Sequence, residues 1–169
     1  MNKLKYYDSR SNNIKVNEIS CLIRALDNEF IPPLKDRPEF LSYDDYARRL
    51  TENGIILYYR NIHADRVIGF TAFYADPNYF EYAYWSYLGI DKEYRKMGIA
   101  ADLMKKMTSV CSDLGMKGIN GSCSLKNNRM MKLFEANGFI RVIDKKLISE
   151  FKKMNPKDNR EKAFYIISL

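Results

Sequence analysis

Tyr87-Leu88-Gly89-Ile90-Asp91-Lys92-Glu93-Tyr94-Arg95-Lys96-Met97-Gly98-Ile99-Ala100 is the stretch whose reading decides the fold. It opens on an apolar, strand-like run and closes on a helix that places Ile99, Leu103, Met107, Val110 and Leu114 on one face, with Gly115 to end it. A glycine-centred turn between a strand and a helix points several backbone N–H groups at one spot. The first N–H groups of a helix lack internal partners, and the helix dipole makes that end partly positive. Such a turn can hold an anion, most often phosphate, and Gly98 lets a phosphate approach the backbone without meeting a Cβ.

Working outward, Leu4 to Tyr7 reads as a short strand. A helix follows with Ile19, Leu22, Ile23, Leu26 and Phe30 at helical spacing, broken by Ile31-Pro32-Pro33-Leu34. Ser42 can cap a second helix with Asp45 three residues on, and Asn53-Gly54 stops it. Ile55 to Tyr59 and Val67 to Tyr74 read as strands flanking a turn, and Phe80 to Ile90 as a long aromatic third. After the helix from Ile99, the chain reads as a strand (Ile119 to Ser124), a helix (Asn127 to Asn137), and a strand (Phe139 to Leu147). A polar loop or turn of helix then fills 149–162, and a last strand runs from Ala163 to Leu169. Successive strands suggest antiparallel meanders and strand–helix–strand units suggest parallel neighbours. The fold class expected is α+β, an α/β-type mixed sheet of about seven strands with helices on both faces.

A chain of 169 residues, 46% hydrophobic, suffices for one compact domain, expected over 1–169. The net charge of +7 favours an anionic partner but does not choose among phosphorylated cofactor, nucleic acid and membrane surface. Its basic residues are scattered along the chain rather than clustered, which argues against nucleic acid. The three cysteines form no C-x-x-C pair, and the start of the chain lacks a signal-peptide core, so a reducing, cytoplasmic setting is expected. With His63 as the single histidine, neither a Ser–His–Asp triad nor a multi-histidine metal site can form within the chain, and no metal is expected.

Two motifs carry a resemblance. Arg95-Lys96-Met97-Gly98-Ile99-Ala100, preceded by Leu88-Gly89-Ile90, is similar to the central motif of the GNAT superfamily, the Gcn5-related N-acetyltransferases. Asn127 through Phe134, Glu135 and Gly138-Phe139 resembles that family's second motif, at the right separation. The resemblance implies an acyl-CoA N-acyltransferase fold, its sheet splayed after the fourth strand, with acetyl-coenzyme A as co-substrate. By the same resemblance Leu88, Gly89 and Ile90 would pair with the pantetheine arm. The residues Arg95, Lys96, Met97, Gly98, Ile99 and Ala100 would hold the diphosphate, Asn127 would hydrogen-bond the pantetheine, and Phe134 would pack beside its thiol end.

The implied reaction moves an acetyl group directly from the thioester to an amine of a small molecule, an amino sugar or amino-acid-like acceptor among the choices. An alkyl amine of pKa about 10 must first lose a proton to a base or a water relay. Glu81 and Tyr84 are the candidate bases. The family's frequent general acid is a tyrosine where this chain has Phe134. Tyr165, Tyr87 or water could protonate the thiolate instead, or a thiol of pKa about 8.5 could leave unaided. The other reading of Phe134 is a non-catalytic acyl-CoA-binding or sensor domain. Expected partners are the coenzyme and a small-molecule amine, with neither nucleic acid nor membrane, in a monomer or homodimer.

Overall fold

A computed structural model describes residues 3–155, 158 and 160–169. Strand β1 (Leu4–Asp8) leads to α1 (Val16–Leu26), two 3-10 turns (Asp27–Glu29 and Leu34–Asp36) and α2 (Tyr43–Asn53). Strands β2 (Ile55–Asn61), β3 (Arg66–Tyr74) and β4 (Tyr82–Ile90) follow, then a 3-10 turn (Lys92–Tyr94) and α3 (Ile99–Asp113). The remainder is β5 (Gly118–Ser124), α4 (Asn128–Ala136), β6 (Ile140–Arg141), α5 (Lys145–Lys153) and β7 (Lys162–Ser168). The seven strands lie in the order β1-β2-β3-β4-β5-β7-β6, the mixed α+β sheet expected.

Chain connectivity sets the strand directions. The short turn from Asn61 to Arg66 folds β3 back antiparallel on β2, whereas α3 carries the chain across between β4 and β5, which pair parallel. That parallel ladder is brief: Tyr82, Ala83 and Tyr84 pair with Gly118, Ile119 and Asn120, and no further register follows, which puts the expected splay at this pair.

The described residues form two compact units, one made of everything up to Tyr74 with Ser86–Met107, the other of Ala75–Trp85 with Thr108–Leu169. In the first, α1 buries Ile19, Leu22, Ile23 and Leu26 against Ile56, Val67, Phe70 and Tyr87 of the strands. Each such side chain contributes about 1.5–3 kcal/mol on full burial. Ser42 caps α2 as its sequence suggests, accepting from the Asp45 N–H at 3.0 Å.

The helix α1 ends at Leu26, short of the expected Phe30, because Asp27 takes another partner set. Its buried carboxylate accepts from the N–H groups of Leu34 (2.6 Å) and Lys35 (3.3 Å) and from the Tyr43 hydroxyl (2.6 Å). The bond to Asp27 pushes the Tyr43 phenol up to about 12. A raised phenol pKa favours the neutral form in the fold. The bond's contribution is therefore complete below the free phenol's pKa of about 10 and is lost as pH rises towards 12. Tyr43→Phe should cost about 1.5–3 kcal/mol in urea unfolding at pH 7 and should remove that share of the alkaline loss.

In the second unit, Val142, Phe151 and Phe164 form a core with Leu147 and Ile148. The expected strand from Phe139 to Leu147 is a strand only at Ile140–Arg141, and α5 begins at Lys145. The Asp144 carboxylate caps that helix, accepting from the Lys146 and Leu147 N–H groups, and Leu147, Ile148 and Phe151 supply its apolar face. The stretch 149–162, expected as a loop or turn of helix, is helical as far as Lys153; residues 156, 157 and 159 lie outside the described residues.

Candidate active site

The turn ahead of α3 has the backbone its sequence asks for. Lys96 and Gly98 both adopt left-handed conformations, φ +62° and +78°. For Lys96 this costs about 1–2 kcal/mol, which the surrounding structure must hold in place. The Asp102 N–H donates to the Gly98 carbonyl, which makes Gly98 the N-cap of α3. The N–H groups of Lys96, Met97, Gly98, Ile99, Ala100 and Ala101 donate to no carbonyl or side chain among the described residues. A Cβ built on Gly98 meets nothing within 4 Å, so the space above the turn is open. Lys96 is exposed and makes no ion pair among the described residues. N–H groups unpaired among the described residues, a helix N-terminus and an exposed ammonium give this turn the chemistry to receive a polyanion.

Neighbours brace the turn on two sides. Asp91 accepts from the Glu93 N–H and pairs with Arg66, whose other amine reaches Glu93 at 3.3 Å. The buried Asn61 donates to the Tyr94 hydroxyl at 2.8 Å while its carbonyl oxygen accepts from His63 and Ala64 N–H groups. His63 itself is exposed in that β2–β3 turn. On the other side, Arg95 donates to the Ile90 carbonyl at 3.0 Å and pairs with Glu29. Of these, the Asp91-x-Glu93 cap is a local spacing that the sequence could have given. The pairs with Arg66, Asn61 and Glu29 join residues far apart in the chain, and no local pattern announces them.

Strand β4 alternates strictly: Ala83, Trp85, Tyr87 and Gly89 are buried and the residues between them half-buried. Leu88 and Ile90 therefore face opposite to Tyr87 and Gly89. Two close approaches fix this strand end. A Cβ on Gly89 would lie 2.7 Å from the Tyr87 ring and 2.9 Å from Leu26, and one on Gly69 would lie 2.7 Å from Ile90 Cδ1. Tyr87 stacks on Phe70 at 4.5 Å, with Phe30 and Tyr46 against it, and burial raises its phenol well above the ordinary value.

The remaining candidates lie in the second unit. Glu81 precedes β4, is exposed and pairs with Lys117. Tyr84 is half-buried in the β4–β5 ladder opposite Asn120. Asn127 caps α4, its carbonyl oxygen accepting from the Met130 N–H at 3.0 Å. Phe134 is 1% exposed, enclosed by Trp85, Phe139 and Tyr165, the last stacked on it at 4.5 Å. Tyr165 is fully buried, its hydroxyl donates to Glu135 at 3.2 Å, and burial followed by the Glu135 bond raises its pKa. Burial also pushes the Cys123 thiol up to about 11, so it is no ready nucleophile. Among the described residues no three His, Cys, Asp or Glu side chains gather as metal ligands, and no helix is long and apolar enough to cross a membrane.

A family model described as "Acetyltransferase (GNAT) family" matches residues 21–139. No curated protein matches the sequence. Among solved structures, a GNAT-family acetyltransferase from Staphylococcus aureus superposes with TM-score 0.75 over 98% of this chain and 99% of its own, at 17% identity. An acetyltransferase from Streptococcus agalactiae gives 0.73 over the whole of both chains at 13% identity. The N-acetylglutamate synthase of Neisseria gonorrhoeae, solved with coenzyme A and N-acetyl-glutamate, gives 0.70 over 98% of this chain and 35% of its own, at 13% identity. At such identities these likenesses establish the fold.

Proposed function

The chain belongs to the acetyltransferase (GNAT) family, and from that premise we propose that it transfers acetyl from acetyl-coenzyme A directly to the amine of a small molecule. The observation that carries this reading is the row of unpartnered N–H groups from Lys96 to Ala101 beneath the open space at Gly98. The family match includes residues of both compact units, which supports treating 1–169 as one domain.

In the reaction, the diphosphate of the coenzyme sits on these N–H groups, with Lys96 as a point charge beside it. The amides of the pantetheine arm run along Leu88, Gly89 and Ile90 as an added strand would. Anchoring the far end of the donor in this way fixes the thioester in place, and holding the amine beside it as well converts a bimolecular attack into one between held partners. A backbone N–H near the end of β4, that of Leu88 or Ile90, polarises the thioester carbonyl as negative charge develops on its oxygen.

Proton handling falls to water in this reading. Phe134 has no proton to give, and the Tyr165 hydroxyl is buried and directed at Glu135. Glu81, ahead of β4, is held in an ion pair with Lys117. The departing thiolate, with a conjugate pKa of about 8.5, is a competent leaving group without a side-chain acid. The amine loses its proton to a water chain, with Tyr84 the remaining side-chain candidate on β4.

Calorimetric titration with coenzyme A, followed by thiol-release assays on a panel of amino sugars, amino acids and polyamines, tests this. Micromolar binding with turnover on at least one amine is the expected result. Binding without turnover on any amine would make the chain an acyl-coenzyme A sensor, and absence of binding would remove the reading.

A further inference from the structure

Arg95 opens the turn proposed to hold the diphosphate, yet its guanidinium is directed into the protein. Its two terminal nitrogens meet the two Glu29 carboxylate oxygens at 2.7 and 3.0 Å, and its Nε donates to the Ile90 carbonyl at 3.0 Å. One side chain thus joins the turn, the end of β4 and the 3-10 turn that follows α1. Glu29 lies two residues from Asp27, whose carboxylate holds Leu34, Lys35 and the Tyr43 hydroxyl. The segment 27–36 and the start of α2 are therefore gathered on the same short turn that grips Arg95.

The geometry of this link is stiff. Two parallel charge-assisted bonds fix both the distance and the plane of the guanidinium, which a single Lys contact would not. The side chains are only 22% and 29% exposed, so solvent and salt screen the pair less than a surface one. The Arg95 bond lowers the Glu29 carboxyl below the ordinary carboxylate range against the opposing effect of burial, and Lys92 adds a second cation at 3.4 Å.

We infer that Glu29 is a positioning residue of the donor site: through Arg95 it seats the diphosphate turn against the end of β4 and passes occupancy of that turn to the segment 27–36. The inference rests on the diphosphate reading of Gly98. A polyanion seated on the N–H groups restrains the turn, and the two-bond clamp carries the restraint to Glu29. Ordering of 27–36 then accompanies donor binding, before any acceptor arrives.

Amide hydrogen exchange of the full chain, with and without saturating coenzyme A, provides the test. In the unsubstituted protein the coenzyme should slow exchange at 94–101 and also at 27–36. In Glu29→Gln the protection at 94–101 should persist, the coenzyme's Kd should rise roughly threefold to tenfold, and the protection conferred on 27–36 should fall by at least half. A residue that only stabilised the fold would raise exchange at 27–36 with and without coenzyme alike, leaving the difference intact. Arg95→Lys, which keeps the charge but not the fork, should reproduce the loss at 27–36. Protection at 94–101 with none at 27–36 in the unsubstituted protein overturns the inference and leaves the donor site standing, as does undiminished transmission in Glu29→Gln. Absence of protection at 94–101 removes both.

Discussion

Coenzyme A binding should be lost in Gly98→Asp, reduced at least tenfold in Gly98→Ala, and unchanged in Gly115→Ala. The comparison is controlled by the backbone. Gly98 and Gly115 sit at φ +78° and +79°, and a Cβ built on either meets nothing within 4 Å. Both alanine variants therefore carry the same left-handed strain, about 1–2 kcal/mol, and should lose similar amounts of thermal stability. Any difference in affinity between them reports on the ligand rather than on folding. At position 98 the methyl occupies the space a phosphate would take. The carboxylate that Gly98→Asp introduces adds repulsion of about 4 kcal/mol at roughly 4 Å and an effective dielectric near 20, close to a thousandfold. Calorimetric titration beside a melting curve for each variant is the measurement. Unchanged affinity in Gly98→Asp would mean the coenzyme binds elsewhere or not at all.

The site and the fold were legible in the sequence to different depths. The turn at Arg95 to Ala100 could be placed because its signals are local: a glycine, an apolar strand before it and an apolar helical face after it. The Ser42 cap is local in the same sense, and both are found where expected. The strand expected from Phe139 to Leu147 fails because the Asp144 carboxylate caps a helix inside it, and Leu147 with Ile148 and Phe151 supplies that helix's apolar face. What resisted sequence reading altogether were contacts that only the fold creates. Glu29 and Arg95 stand 66 residues apart, and Tyr59 donates to Asp102 across 43. The resemblance implies that Phe134 packs beside the thiol end of the pantetheine, and its three aromatic neighbours Trp85, Phe139 and Tyr165 are contacts that no local pattern announces. Motif position specifies the helix that carries a residue; the packing around that helix decides whether a ligand can reach it.

The stability prediction with the largest expected effect is Gly118→Ala. Gly118 stands in two ladders at once, opposite Tyr82 in the parallel pair and opposite Ser168 in the antiparallel one. A Cβ there would lie 2.4 Å from the Ile167 carbonyl oxygen and 2.9 Å from two carbons of the Tyr82 ring. Neither neighbour can yield cheaply. The oxygen belongs to the backbone of β7, and the Tyr82 ring is packed edge-on to Phe151 at 5.7 Å. The chain must therefore open one of the three rungs that constitute the β4–β5 pair or displace β7. A loss of about 3 kcal/mol is expected, the upper end of what overpacking costs. Gly121→Ala should cost less, because its Cβ would meet only side-chain atoms, the Phe134 ring at 2.7 Å and Trp85 at 3.1 Å, and no ladder carbonyl, although three aromatic neighbours resist the tilt of the Phe134 ring. Urea unfolding should show both midpoints lowered, Gly118→Ala the more so, with the slope against denaturant unchanged. A Gly118→Ala protein as stable as the parent would mean that β5 does not sit in this register, and the brief parallel pairing that marks the splay would have to be redrawn.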